Sequence, residues 1–205
     1  MKTQRSFNVI VSLVFAYLAQ VNTLCAQSKI SVDVGDPAYE QLKSPDFKAS
    51  NSKSWDKKDW LEIEVEFEID KVAPADAKFA DALTVKWYVV AKSPESKGYV
   101  LMEKEVEHIN IPVKGKVFSS VYLSPSSILR LSDNDRASEK VIERVGGEIL
   151  FNGQRVGAFS SQGDAGWWQS GSLSRYDKIP LLSKDETPFQ YFWWDRYAEI
   201  KSEKR

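Results

Sequence analysis

The sequence predicts a mainly β protein, an antiparallel β-sandwich with short helices, on three observations. The run LEIEVEFEI, residues 61–69, alternates apolar and acidic residues over its whole length, the signature of a strand with one face on a core and one in water. Roughly seven such runs follow one another at the spacing of a sandwich. No regular alternation of strands with helices suggests a parallel sheet.

Each element has its own reason. Ile30, Val32 and Val34 alternate with Ser31 and Asp33 as a short first strand. Residues 36–59, with Pro37, Pro45 and scattered apolar positions, read as a loosely packed lead-in. In the strand at 61–69, Leu61, Ile63, Val65, Phe67 and Ile69 share one face and Glu62, Glu64, Glu66 and Glu68 the other. LTVKWYVV, 83–90, repeats the pattern through Leu83, Val85, Trp87 and Val89, after a connection that has room for a helical turn. Further strands are expected at 99–111, where Pro112 limits continuation, and at 116–123. In SPSSILRL, Ser124 caps a short helix with Pro125 in its first turn. Asn152-Gly153 between apolar runs is a type I′ hairpin, because both positions need positive φ. Folding there sets Phe151 opposite Gln154 and Ile149 opposite Val156, with Gly146-Gly147 free to bulge.

The N-terminus reads as a secretory signal peptide over residues 1–26. Lys2 and Arg5 precede a 13-residue, mostly apolar stretch from Val9 to Val21, and small residues lead to a cut after Ala26. The apolar stretch is short for a membrane-spanning helix. Bulky Leu24 before Cys25 speaks against lipidation, and the first glycine, Gly35, against a pilin-type leader. Cleavage removes the single cysteine, so the mature chain rests on its core rather than on disulfides. It also leaves 26 basic residues against 29 acidic, a balance unlike the basic footprint of a nucleic-acid binder. The domain reading is therefore a signal peptide at 1–26, an N-terminal strand and lead-in at 27–59, and a sandwich with an aromatic C-terminal segment at 60–205. The destination is the periplasm, the outer-membrane surface or the medium, with no transmembrane helix in the mature chain.

Catalytic chemistry is hard to assemble from these residues. His108 is the only histidine and lies in the strand-like EVEHINI, with no G-x-S-x-G elbow anywhere. It reads as structural or solvent-facing. The four strand glutamates sit about 7 Å apart, within the range of inverting glycosidase pairs. A flat solvated stripe neither flanks a cleft nor raises a pKa, so it reads as a soluble sheet face, opposed by Lys86, or else as a docking face for a basic partner. Asp133, Asn134, Asp135 and Glu139 lack the glycine and spacing of a calcium loop. No catalytic residue, metal ligand or cofactor is expected.

Aromatic residues offer the remaining candidates. Gly166 precedes Trp167-Trp168, and in extended chain one indole faces the core and the other faces out. TPFQYFWWDRY, 187–197, carries six rings. As a helix capped by Thr187, with Pro188 first and Gln190 in the capping-box position, it places Phe189, Phe192, Trp193, Tyr197 and Ile200 on one face. As a strand it divides the rings differently. Either a short helix or a turn closes the sandwich and leaves Tyr191 or Trp194 outside. The contact residues to test are Trp167, Trp168, Tyr191 and Trp194.

IPLLSKDETPFQYFWWDRYAEIK, preceded by YLSPSSILRL, FNGQRV and GWW, resembles the exported pilus-like Amuc family of Verrucomicrobia, one member of which is encoded beside type IV pilus assembly genes. The resemblance spans most of residues 60–201 and is densest over 181–197. It implies an immunoglobulin-like sandwich related to pilin-type folds, with no catalytic residues to carry over. The expected role is that of a non-enzymatic component of a pilus-related or cell-envelope assembly. Its partners would be envelope or pilus-associated proteins, or further copies of itself. The alternative is a carbohydrate-binding module that stacks sugars on exposed Trp and Tyr.

Overall fold

A computed structural model describes residues 30–46, 56–95, 98–132, 136–171 and 173–202. The expectations for the signal peptide and for the acidic loop at 133–135 lie outside these residues. In chain order the first six strands are β1 (Ser31–Val34), β2 (Ala38–Lys43), β3 (Asp59–Lys71), β4 (Phe79–Ser93), β5 (Gly98–Pro112) and β6 (Lys116–Leu123). Helix α1 (Pro125–Ser132) follows, then the hairpin of β7 (Ile142–Phe151) and β8 (Gln154–Ser160), and finally the short strands β9 (Leu182–Ser183) and β10 (Glu199–Ile200). All strand pairings are antiparallel and form two sheets. One runs β1-β3-β6-β9, with β2 beside β1 along the same edge of β3; the other runs β10-β5-β4-β7-β8. The architecture is the expected β-sandwich.

The core lies between the sheets and follows the period-two rows of the sequence. Leu61, Ile63, Val65, Phe67 and Ile69 of β3 meet Leu83, Val85, Trp87 and Val89 of β4, all buried. Val117, Val121 and Leu123 of β6 and Val145 and Ile149 of β7 extend the same layer. Ser124 Oγ accepts the backbone N–H of Ser127 and starts α1, as its sequence requires.

Three expectations are corrected. Residues 38–43 of the lead-in form β2, paired with β3 from Asp59 to Glu64. Its apolar residues fall on opposite faces, Tyr39 against the main core and Leu42 in a second cluster outside it, so no one-sided pattern marks the strand. The connection before β4 holds turns and no helix. In the β7–β8 hairpin, Asn152 and Gly153 have φ of 50° and 76°, and Phe151 faces Gln154 as expected. The register then slips, setting Ile149 opposite Gly157 with Val156 as the extra residue.

Gly146 and Gly147 make no bulge in this hairpin; they make room for rings. Gly147 faces the core opposite Trp87, and Phe159 lies over it, its ring 4.9 Å from that of Trp87. A Cβ at Gly147 would lie 2.3 Å from Phe159 and 2.5 Å from the carbonyl oxygen of Lys86. Gly146 does the same on the outer face for Trp168, which stacks on Tyr88 at 4.8 Å.

After β9 the chain crosses the outer face of the first sheet and ends at the edge of the second. On the way it hydrogen-bonds Phe118 of β6, and then β10 pairs with His108 and Ile109 of β5. One directional chain of bonds fixes this strap to the core. Ala198 O can only accept, so His108 Nδ1 carries the proton and donates to it at 3.1 Å. Ser119 Oγ then donates to Nε2 at 2.8 Å and accepts from Trp87 Nε1 at 3.3 Å. The expected structural histidine is therefore fully interior and neutral. Burial pushes its pKa down from 6.5 to about 4.

Two outcomes follow from this packing. Gly147→Ala should destabilise the protein by about 3 kcal/mol, because one of the obstructing atoms is backbone and cannot rotate away; urea unfolding measures it. For His108 the unfolded chain holds the proton more tightly than the folded one. Its stabilising share is complete above pH 6.5 and disappears as pH falls to about 4, an effect of about 3 kcal/mol. The difference in unfolding free energy between pH 7 and pH 4 should shrink by that amount in His108→Gln.

Candidate aromatic interface

The glutamate stripe is where the structure departs furthest from the sequence reading. Glu62 is only 1% exposed and Glu64 is also buried, because the strap lies over that half of the sheet. The Tyr122 and Tyr197 hydroxyls both donate to Glu62 Oε1, and Tyr197 OH also reaches Glu64 Oε2 at 2.9 Å. Arg196 pairs with Glu64 Oε1 while its guanidinium lies 3.8 Å over the Phe118 ring. Burial raises the Glu62 pKa; the two tyrosine bonds oppose it, and the neighbouring Glu64 and Glu40 charges add to it. Glu66 alone of the stripe forms a solvent-side pair, with Lys116 at 2.7 Å. Lys86 does not oppose the stripe, since it belongs to the other sheet and pairs with Glu105.

A second, smaller core anchors the strap on this face. Phe189 is buried against Leu42, Tyr122, Trp60 and Leu182, edge-on to Trp60 and stacked on Tyr122, each at 5.7 Å. Burying such a ring is worth about 2 kcal/mol. The segment around it is a series of turns rather than the expected helix. The capping box falls four residues earlier, where Ser183 N–H donates to Glu186 Oε2 at 2.8 Å. Thr187 Oγ1 donates to Lys184 O and accepts from Phe189 N–H instead of capping a helix.

Lys184 ties these turns together from beneath. It is buried, and its ammonium donates to the carbonyls of Phe189 and Phe192 and lies 4.9 Å from the Tyr197 ring. The Phe189 carbonyl also accepts the backbone N–H of Phe192 at 2.9 Å, one of the turns that Lys184 holds. Burial holds the Lys184 pKa below the usual lysine value, with the Glu62 charge opposing the shift. Trp193 then turns the chain with φ of 51°, a left-handed conformation that a bulky residue adopts only when its surroundings impose it.

The result is a tip of rings on a fixed base. Tyr191 is 76% exposed, Trp194 77%, Trp193 45% and Phe192 37%, whereas Phe189 and Tyr197 face inward. Two clefts flank the tip. One of about 120 Å³ is lined by Glu40, Glu62, Trp193, Arg196 and Tyr197. The other, of about 270 Å³, is bordered by Trp194, Tyr197, Gln190, Asp185 and Glu199.

The four sequence candidates therefore separate. Tyr191 and Trp194 stand together at the tip. Trp167 and Trp168 lie on the outer face of the other sheet, on a short 3-10 turn instead of extended chain. Trp168 is buried there on Tyr88, and Trp167 is half-buried, with Arg144 4.8 Å over its ring. The sequence reading passed over Glu40 and Lys184, put Trp193 on the inward face of a helix and left Glu62 in a solvated stripe or docking face. Nothing in the local pattern IPLLSKDETPF, where two acids follow the lysine, marks Lys184 as buried. Among the described residues no group of three or more His, Cys, Asp and Glu side chains is placed to hold a metal, and no helix is long and apolar enough to cross a membrane.

Comparison with known proteins agrees with this architecture. No curated protein matches the chain. A crystal structure of a protein from Akkermansia muciniphila is 32% identical in sequence and superposes with a TM-score of 0.80, the match covering 87% of this chain and 96% of that one. A family model matches residues 23–204, nearly the whole length. On these matches the chain belongs to the Amuc family of Verrucomicrobia.

Proposed function

We propose that this protein is an exported, non-enzymatic component of a cell-envelope assembly, pilus-related in character, that binds other proteins through its aromatic tip. The observation that carries the reading is the contrast within residues 187–197. Phe189, Lys184 and the Glu62 network lock the base, while Tyr191 and Trp194 stay more than three-quarters exposed. Large rings held open in this way have no packing role. They suit an interface, where aromatic side chains fixed in advance contribute area at little entropic cost. The leader-like N-terminus supports export, and the Akkermansia relative supports an origin among similar envelope-bearing bacteria.

Tyr191→Ala combined with Trp194→Ala tests the reading. Both side chains are surface ones, so unfolding free energy should move by less than about 0.5 kcal/mol, while capture of envelope proteins by the immobilised chain should be lost. Retained capture would overturn the reading. A glycan-array signal that disappears in the same variant would transfer the tip to carbohydrate binding.

A further inference from the structure

The smaller cleft beside the tip has an unbalanced charge. Glu40 and Glu62 are direct partners across the β2–β3 ladder, both on the outer face. Like charges placed opposite each other on neighbouring strands are unfavourable. Among the described residues no cation comes within ion-pair distance of either carboxylate, since Arg196 is spent on Glu64 and Lys184 on the turn carbonyls. Glu62 is almost wholly buried, yet both of its tyrosine donors converge on Oε1, leaving Oε2 without a donor among the described residues. Trp193 and Tyr197 supply ring walls to the same cleft, and Trp193 is held there in a left-handed conformation.

Two carboxylates at the base, one with an oxygen that takes no donor among the described residues, between a tryptophan and a tyrosine make a receptor for a cationic nitrogen. The carboxylates supply charge-assisted acceptors and the rings supply cation–π attraction. We propose that the cleft lined by Glu40, Glu62, Trp193 and Tyr197 receives a lysine or arginine side chain of the protein partner, inserted beside the exposed rings. The proposal rests on the reading of the tip as a protein-binding surface and names the chemistry of the partner's anchor. Arg196 at the cleft wall does not cancel the site, because its charge is already matched by Glu64. It sets the position of the incoming cation toward Glu40 and Glu62. The neighbouring apolar rings favour an anchor flanked by apolar residues over a uniformly basic segment.

The test titrates the full chain with Nα-acetyl-lysine methylamide, its arginine counterpart and the uncharged norleucine counterpart, following the Trp193 indole N–H by NMR. The lysine or arginine probe should give a saturable shift, and norleucine none. Glu40→Gln, a change at an exposed position, should weaken the response at least tenfold, and Glu62→Gln should abolish it. A thermal melt confirms that each variant is folded, and the Glu40 variant suffices alone if the other is not. An equal response to norleucine, no saturable shift, or an unchanged affinity in Glu40→Gln would overturn the proposal. The two readings fail separately. If the probes do not bind but the Tyr191 and Trp194 variant loses envelope capture, the cation site falls and the interface stands. If the probes bind and that variant keeps its capture, the interface reading falls instead.

Discussion

A buried carboxylate must find donors, and on this sandwich that requirement fixes where the C-terminal strap lies. Glu62 points away from the main core, on the face that an isolated strand would show to water. With the strap in place it is enclosed, and an ion left there without donors would cost several kcal/mol. Tyr122 from β6 and Tyr197 from the strap supply hydroxyls to the same oxygen, so the carboxylate ties the sheet to the segment that covers it. Arg196 performs the same task for Glu64. The strap thus cannot slide by a residue without exposing two acids to an apolar environment, and its register is set by charge as much as by packing.

The apolar contacts act in the same direction. Phe189 fills the second core, and the Trp87–Ser119–His108–Ala198 chain holds the strap's far end from inside the first. On either side of these two points Lys104 of β5 pairs with Glu186 and Lys201 pairs with Glu107. Surface pairs of that kind contribute little singly. The buried ones are different, because Lys184, Glu62 and His108 each lose water that only specific partners replace. A strap tied at both ends and in the middle can carry a rigid turn at its tip, which is what an exposed cluster of rings needs if it is to meet a partner without first being ordered.

The two-sheet architecture was legible because its strands bury one face only. Period two over 61–69 and 83–90 places Leu61 to Ile69 and Leu83 to Val89 inside without any tertiary information. The same logic fails wherever a strand has cover on both faces. β2 places Tyr39 and Leu42 on opposite sides, so its pattern dissolves, and the alternation of β3 misassigns Glu62 and Glu64 to solvent because their cover arrives about 130 residues later. Local helix chemistry at Thr187-Pro188 was equally sound on its own terms. The chain takes turns there instead, whose Phe189 and Phe192 carbonyls accept the buried Lys184 ammonium, a partner the local pattern does not reveal. The exposure of Tyr191 and Trp194 was partly legible, because either local geometry leaves one or the other outside, whereas Glu40 and Glu62 become neighbours only through the β2–β3 register.

The outer face of the first sheet therefore carries more polar and charged burial than a sandwich needs for stability. Replacing buried ion pairs by apolar residues of similar size is often neutral or stabilising, and Phe189 with Leu42 and Trp60 shows that an apolar plug fits this face. What an apolar face would lose is the sharp turn at Trp193, the fixed position of Tyr197, and the pair of carboxylates beneath them. Stability alone accounts for the plug and for the His108 tether. It does not account for Glu40 opposite Glu62 with neither carboxylate in an ion pair among the described residues. Such an arrangement carries a cost in the free protein, seen in the Glu40 contribution to the raised Glu62 pKa, and positive charge brought from outside would relieve it. That places the Glu40–Glu62 cleft and the exposed rings on one surface, with the rigid base serving both.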